Sequence, residues 1–157
     1  THFAHERNIF ITIETEGSHY LETDYPINLL SISPKFSNSV PVLGVATPQG
    51  GITNEKMIKQ HNKFRLNYEN IKKSIAYHDD YHIKPVWSGD DFSALEEIME
   101  CIEILKVPQD KVWFMPSGDT REALFQSYPL VFDWVRDNGY RMTWLPHIIA
   151  FEDLRCV

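Results

Sequence analysis

The sequence predicts an α/β fold with mostly parallel strands. Three observations carry that expectation. Five short strings rich in β-branched and aromatic residues recur along the chain, amphipathic stretches separate most of them, and Gly, Pro, Ser and Asp mark the boundaries. Strands alternating with helices mean βα units, whose sheet is mainly parallel. The 157 residues, 43% of them apolar, suffice for one domain with a real core. Five strands and about three helices fall short of a closed eight-strand barrel of roughly 250 residues. They suit half of such a barrel, or a small open sheet.

The chain opens on what reads as the tail of a helix. Asn8 to Glu14 (NIFITIE) is the first strand, ended by Gly17 and Ser18. Asn28 to Ser33 (NLLSIS) is the second, stopped by Pro34, which lacks a ladder N–H. Pro34 to Gly51 is a loop long enough to suggest function or mobility. Asn54 to Tyr77 reads as one polar helix with Met57, Phe64, Tyr68, Ile71 and Ile75 on one face. Tyr81 to Trp87 (YHIKPVW) is the third strand, with Pro85 marking an edge or a bulge. Asp90 can cap a helix reaching Lys106, striped by Phe92, Leu95, Ile98, Ile102 and Leu105. Lys111 to Met115 (KVWFM) is the fourth strand, ended by Pro116. Asp119, with Glu122 three residues on, resembles a capping box. The helix it starts should reach Asn138 and stop at Gly139, with a kink or restart at Pro129. Arg141 to Leu145 (RMTWL) is the fifth strand.

Composition narrows the classes of function. Net charge is -7, and Lys72–Lys73 is the one adjacent basic pair, which argues against a nucleic-acid surface. No apolar run approaches the ~20 residues of a membrane span, and no signal peptide pattern opens the chain. Cys101 and Cys156 are too far apart in sequence for a zinc ribbon or a disulfide framework, which fits a reducing cytoplasm. The chain begins at Thr1 rather than Met. With the helix tail, that leads us to expect further sequence upstream.

In parallel α/β folds, ligands sit beyond the C-terminal strand ends. Here those ends read Glu14-Thr15-Glu16-Gly17, Ser33-Pro34-Lys35, Trp87-Ser88-Gly89-Asp90, Met115-Pro116-Ser117-Gly118 and Pro146-His147. Each places polar or small residues directly after an apolar strand, as a ligand mouth requires. Turns use the same residues for purely structural reasons, so both readings stand on pattern alone. His78-Asp79-Asp80-Tyr81-His82 has metal-ligand chemistry, but it occupies a helix-to-strand loop at the wrong end of its strand and reads as a polar loop. His2, His5 and His61 read as surface residues. Trp87, Trp113, Trp134 and Trp144 read as core aromatics.

Three strings, IETEGS (Ile13 to Ser18), SISPK (Ser31 to Lys35) and WFMPSG (Trp113 to Gly118), carry a family likeness. Together, and in this order, they resemble the second half of the 7-carboxy-7-deazaguanine synthases of the radical S-adenosylmethionine (SAM) superfamily. Glu16 stands where that family usually has Asn, and SISPK is the most specific piece. The resemblance implies the C-terminal half of a partial (βα) TIM-like barrel, residues 1–157 being one portion of it. It implies SAM contacts at Ser33, Pro34 and Lys35 and at Met115, Pro116, Ser117 and Gly118. Glu14 and Thr15 would form the strand-end turn near SAM, and His147 would meet the substrate. The implied reaction converts 6-carboxy-5,6,7,8-tetrahydropterin to 7-carboxy-7-deazaguanine, on the way to queuosine or related deazapurines, by way of a SAM-derived radical.

The family's three-cysteine 4Fe–4S motif, its glycine-rich turn for the SAM amino group and its threonine near magnesium have no counterpart here. All three belong to the family's N-terminal half. The expectation is therefore a chain that holds no cluster or magnesium and is inactive alone, with an open sheet edge that should pair, as a homodimer would. Two other readings remain: another radical SAM enzyme of the activase kind, and a non-catalytic α/β module for a nucleotide-like ligand.

Overall fold

The structure, a computed structural model, describes residues 2–20, 22–47 and 50–151. Among the described residues its strands pair in parallel, and a single antiparallel bridge joins Ala46 to Ile52. Strand β1 (Thr12–Thr15) pairs with β2 (Leu29–Ile32), placing Glu14 opposite Ser31. β2 pairs with β3 (Tyr81–Ile83), placing Ser31 opposite His82. β4 (Val86–Trp87) pairs with β5 (Trp113–Pro116), and β5 with β6 (Arg141–Met142). The result is two small three-stranded sheets in chain order.

The expected third strand, Tyr81 to Trp87, divides at Lys84–Pro85, where proline withholds its N–H. Its two parts face different neighbours. Lys84 N donates to the Ile32 carbonyl at 2.6 Å, and Met115 N donates to the Pro85 carbonyl at 2.9 Å. A parallel bridge between Ile83 and Val112 also links the two sheets. The first strand begins at Thr12 rather than Asn8, which stands at a left-handed φ of 51°. The last stops at Met142 instead of Leu145. Pro146 then opens a short helix, where a ring at the first turn is tolerated.

The single helix expected over Asn54 to Tyr77 is two helices, α2 (Glu55–Phe64) and α3 (Tyr68–Tyr77), preceded in the chain by the short α1 (His2–Glu6). Leu66 sits at φ 54°, and the Asn67 side chain accepts from Asn70 N to start α3 afresh. Met57 and Phe64 are accordingly exposed, whereas Ile71 is fully buried. α4 (Phe92–Leu105) is capped by Asp91, not Asp90, and α5 (Arg121–Asn138) by Thr120, not Asp119. α5 ends at Gly139 in the left-handed region as expected, but it passes through Pro129 unbroken. The proline leaves the Phe125 carbonyl without its helical donor. Both residues lie on the exposed side, where water can serve that carbonyl. The last helix is α6 (Pro146–Phe151).

Strand alternation sorts residues by face. Leu30, Ile32, Ile83, Val112 and Phe114 join Ile71 of α3, Ile98 and Cys101 of α4, and Val131 and Val135 of α5 in one apolar cluster. Trp87, Phe114, Trp134 and Tyr140 form its aromatic centre, with ring centroids 4.9 to 6.2 Å apart. Glu14, Ser31, His82, Trp113 and Met115 alternate with these residues and stay outside the cluster. No helix among the described residues is long and apolar enough to cross a membrane.

Candidate functional site

Two hollows meet at the C-terminal ends of β2, β4 and β5. One, of about 670 Å³, is lined by Ser88, Asp90, Met115, Ser117, Gly118 and Asp119 among others. The other, of about 400 Å³, is lined by Pro34, Lys35, Asn38 and Ser39. Val86, Ser88 and Ser117 line both, so the two form one trough. The structure thus brings Pro34, Lys35, Met115, Ser117 and Gly118 together from two turns some 80 residues apart in the chain.

The floor is fixed by backbone. Ser117 N donates to the Trp87 carbonyl at 2.9 Å, and the Ser117 carbonyl accepts from Ser127 Oγ of α5 at 2.6 Å. Gly118 is pressed against α5 so closely that a Cβ there would lie 2.5 Å from Leu124 N. Gly89, at φ +92°, is pressed in the same way against Leu130. The chain therefore requires glycine at both floor turns. The rim is tied by side chains. Asn38 Nδ2 donates to the Val86 carbonyl at 3.0 Å, and Glu97 of α4 accepts from Ser37 N at 2.6 Å while pairing with Arg65. Burial alone would raise the Glu97 carboxyl. The hydrogen bonds from Arg65 and Ser37 outweigh it and hold the group below its ordinary value.

The other expected site residues stand elsewhere. Ser33 is half-buried, and its N donates to the Thr15 carbonyl at 2.7 Å, joining two strand ends. Pro116 is a buried strand residue opposite Trp87. Thr15 Oγ1 accepts from Gly17 N at 3.1 Å and so shapes its turn. Glu14 is not among the residues that line the trough and pairs with Lys84, which lowers its carboxyl pKa. His147 is exposed on α6 and outside the trough lining. The expectation that it follows a strand end fails because β6 stops four residues before α6 begins. In the His78–His82 segment, His78 Nδ1 accepts from Ile27 N at 3.2 Å and Asp80 pairs with Lys111, while His82 Nε2 is buried with no hydrogen-bond partner among the described residues. Among the described residues no group of three or more His, Cys, Asp or Glu is arranged to hold a metal ion.

The strand-end turn Trp87-Ser88-Gly89-Asp90 supplies Ser88 and Asp90 to the trough, whereas sequence reasoning passed over Ser39 as a trough residue and His61 beside its rim. His61 is half-buried rather than on the surface, its pKa lowered chiefly by burial. The available signal was its spacing of four from Arg65, which puts both on one helical face.

Two of the trough's three turns are those singled out by family resemblance, and proteins of the same family name match the chain. The chain is 27% identical over 148 residues to the 7-carboxy-7-deazaguanine synthase of Halobacterium salinarum, covering 90% of this chain and 54% of that protein. It is 28% identical over 131 residues to the 7-carboxy-7-deazaguanine synthase of Rhodopirellula baltica, covering 83% and 46%. The chain is a homologue of the 7-carboxy-7-deazaguanine synthases. It spans about half the length of these curated relatives. No family model matches it, and no solved structure matches it.

The cluster chemistry associated with these synthases can be tested against the cysteines. Cys101 is fully buried in α4, and burial, with Glu97 and Glu100 nearby, pushes its thiol up to about 12. Cluster ligation needs thiolates, so Cys101 is a core residue. Cys156 lies outside the described residues, and the chain has no third cysteine. These residues do not fit a 4Fe–4S cluster.

Proposed function

We propose that this chain is the SAM-binding flank of a radical SAM lyase of the 7-carboxy-7-deazaguanine synthase kind, acting on a 6-carboxytetrahydropterin in the cytoplasm. The observation that carries the reading is the convergence of the Ser33-Pro34-Lys35 turn and the Met115 to Gly118 turn on one trough, in a chain homologous to those synthases. Lys35 meets the SAM carboxylate, Ser88 and Ser117 offer hydroxyls to its ribose, and backbone around Pro116 and Gly118 reads the adenine edge. SAM, when bound, supplies the radical chemistry, and the protein's share is to bind and orient it.

On this reading the parallel strands in chain order are part of a (βα) barrel. The face bearing Glu14, Ser31, His82 and Met115 is then its interior wall, closed by the rest of the longer protein. Cluster ligands come from that part as well. A second reading, a non-catalytic module for a nucleotide-like ligand, draws support from the missing cluster ligands in this chain.

Calorimetry on the full-length natural protein tests the site. Lys35→Ala should weaken SAM binding about tenfold or more, the worth of a charge-assisted contact. Unchanged affinity would remove the SAM assignment. An iron–sulfur absorbance in the same preparation decides between enzyme and binding module.

A further inference from the structure

Charge gives the trough a direction. Among its described lining residues Lys35 is the one cation, and it stands in the smaller hollow, whereas the carboxylates Asp90 and Asp119 both stand in the larger. A ligand with a carboxylate at one end is drawn to Lys35 by that end and leaves the larger hollow to its other part. There Met115, Ala123, Leu130 and Leu145 supply apolar wall, and Leu130 is 47% exposed. Apolar walls around a few polar groups suit a flat ring.

Gln126 supplies one of those polar groups. It lines the larger hollow and is exposed, so a molecule lying there can reach its amide. It is the one side-chain amide in that lining among the described residues, and it hydrogen-bonds to no other part of the described chain. Its neighbours on α5 fix its place. Spacings of three and four put Ala123, Gln126 and Leu130 on the face towards the hollow. The adjoining face carries Leu124, Ser127 and Val131, all buried, and Ser127 Oγ holds the Ser117 carbonyl of the floor at 2.6 Å. The Gly118 turn lies against α5 with no room for a methyl group. Gln126 is thus an uncommitted amide on a helix clamped to the trough floor, a group placed before any ligand arrives.

An amide offers a hydrogen-bond donor and an acceptor side by side. Adenine presents the complement on its N6/N7 edge, an amine hydrogen beside a ring nitrogen, and glutamine meets both at once. Hypoxanthine has oxygen in place of the amine. That edge then shows two acceptors, so the amide can serve one while its own oxygen faces the other.

We infer that Gln126 is the base-selecting residue of the trough, its amide pairing with the N6/N7 edge of an adenine held in the larger hollow. The inference rests on the reading of the trough as a SAM site and adds its direction, the methionyl end towards Lys35 and the adenine against α5.

Calorimetry on the full-length natural protein compares SAM with S-inosylmethionine, in which oxygen replaces the N6 amine and the methionyl end is unchanged. Wild type, Gln126→Met and Lys35→Ala are titrated with both, and melting temperatures are taken alongside. Met keeps the length of the Gln stem and loses the amide. Wild type should bind SAM about tenfold or more tighter than S-inosylmethionine. Gln126→Met should weaken SAM about tenfold, remove most of that preference and leave the melting temperature unchanged. Lys35→Ala should weaken both ligands by the same factor and keep the preference. If Gln126→Met binds SAM like wild type, or weakens both ligands equally, while Lys35→Ala still weakens SAM, the Gln126 inference is overturned and the SAM site stands. A wild type that binds the two ligands alike overturns it in the same way. A lowered melting temperature with losses for both ligands marks a structural glutamine and also overturns it. No binding of SAM by the wild-type protein overturns both readings together.

Discussion

The strand ends that floor the trough rest on a layer of large aromatic rings, whereas the stretch from Ser37 to Phe64 that forms its rim is tied down mainly by polar contacts. Trp87 and Phe114 are fully buried and meet Trp134 and Tyr140 edge to face or tilted. Along the rim, Val42, Leu43, Val45 and Ile52 are exposed, and no residue of α2 is fully buried. Its ties are Glu97 with Arg65 and Ser37 N, Asn38 with Val86, and Ser39 with His61. Apolar packing fixes the floor at close range, while the rim can open at the cost of a few hydrogen bonds. A ligand site made of both has one wall that positions and one that adapts.

The largest expected effect tests the floor. Trp87→Ala should cost about 3–5 kcal/mol, the range for removing a large core aromatic. It would also remove the hydrogen bond that Trp87 Nε1 donates to the Asp91 carbonyl at 2.8 Å, leaving that carbonyl only its bond from Leu95 N. Leu43→Ala in the rim, where the side chain is 58% exposed, should leave the denaturation midpoint where it is. Comparable losses for the two substitutions would end the distinction drawn here.

Gly118→Ala should come next, at about 1–3 kcal/mol, because the added methyl meets α5 backbone rather than a side chain that can swing away. Urea denaturation measures it, and a neutral result would mean the turn can lift off α5.

Acid acts on both regions. His61 in the rim, His78 beneath β2 and His82 on the sheet all have pKa values depressed chiefly by burial. The unfolded chain takes up protons from about pH 6.5 downward, while the folded histidines wait for a lower pH. Their contribution is complete above that pH and is lost as pH falls through about 6.5 towards the depressed values. The denaturation midpoint should therefore be lower at pH 5.5 than at pH 8. A midpoint that rises on acidification would contradict the burial of these rings.

Glu97→Gln probes the tie between rim and floor. The pair with Arg65 is about one-fifth exposed on each side, between a surface ion pair and a buried one, so a loss of about 1 kcal/mol is expected. The informative readout is local. Hydrogen exchange should quicken across α2 while the amides of β5 and α5 keep their protection. Uniform acceleration would mean that rim and floor unfold as one unit.

Which features were legible in the sequence follows the same division. Strand alternation and the stripe of α4 are local patterns, and Leu95, Ile98, Ile102 and Leu105 are buried as the spacing requires, whereas Phe92, in the first turn of the helix, is 65% exposed. The break between α2 and α3 was missed although Asn67, which accepts from Asn70 N, is a local N-cap signal, because Leu66 at φ 54° carries no residue-type cue for a left-handed turn. His61 was passed over for a different reason. A histidine on a polar helix is ordinarily solvated, and Ser39, which marks this one out, reaches it from a loop. The end of β6 was overestimated because Trp144 and Leu145 have strand character, and Trp144 is instead 59% exposed. The trough itself was legible only in part. The rule of strand ends named five turns, and the structure builds the trough mainly from three of them.

The smallest expected effect concerns two pairs of adjacent residues, each able to cap a helix on composition alone. Asp90 and Asp91 precede α4, and Asp119 and Thr120 precede α5. An N-cap needs non-helical backbone and a side-chain oxygen within reach of an N–H two or three residues on. Asp91 meets this by accepting from Ala94 N at 3.0 Å, and Thr120 by accepting from Ala123 N at 3.1 Å. Their neighbours Asp90 and Asp119 are displaced into the lining of the trough. Asp91→Ala and Thr120→Ala should each cost about 1 kcal/mol in urea denaturation, and Asp90→Ala and Asp119→Ala should cost nothing measurable. The neighbours should respond to ligand instead. Removing either carboxylate from the trough changes the charge a bound cation meets, so SAM affinity should shift for Asp90→Ala or Asp119→Ala and hold for the cap variants. If Asp90→Ala destabilises the fold as much as Asp91→Ala, the cap is shared between the two and the assignment of Asp90 to the trough fails.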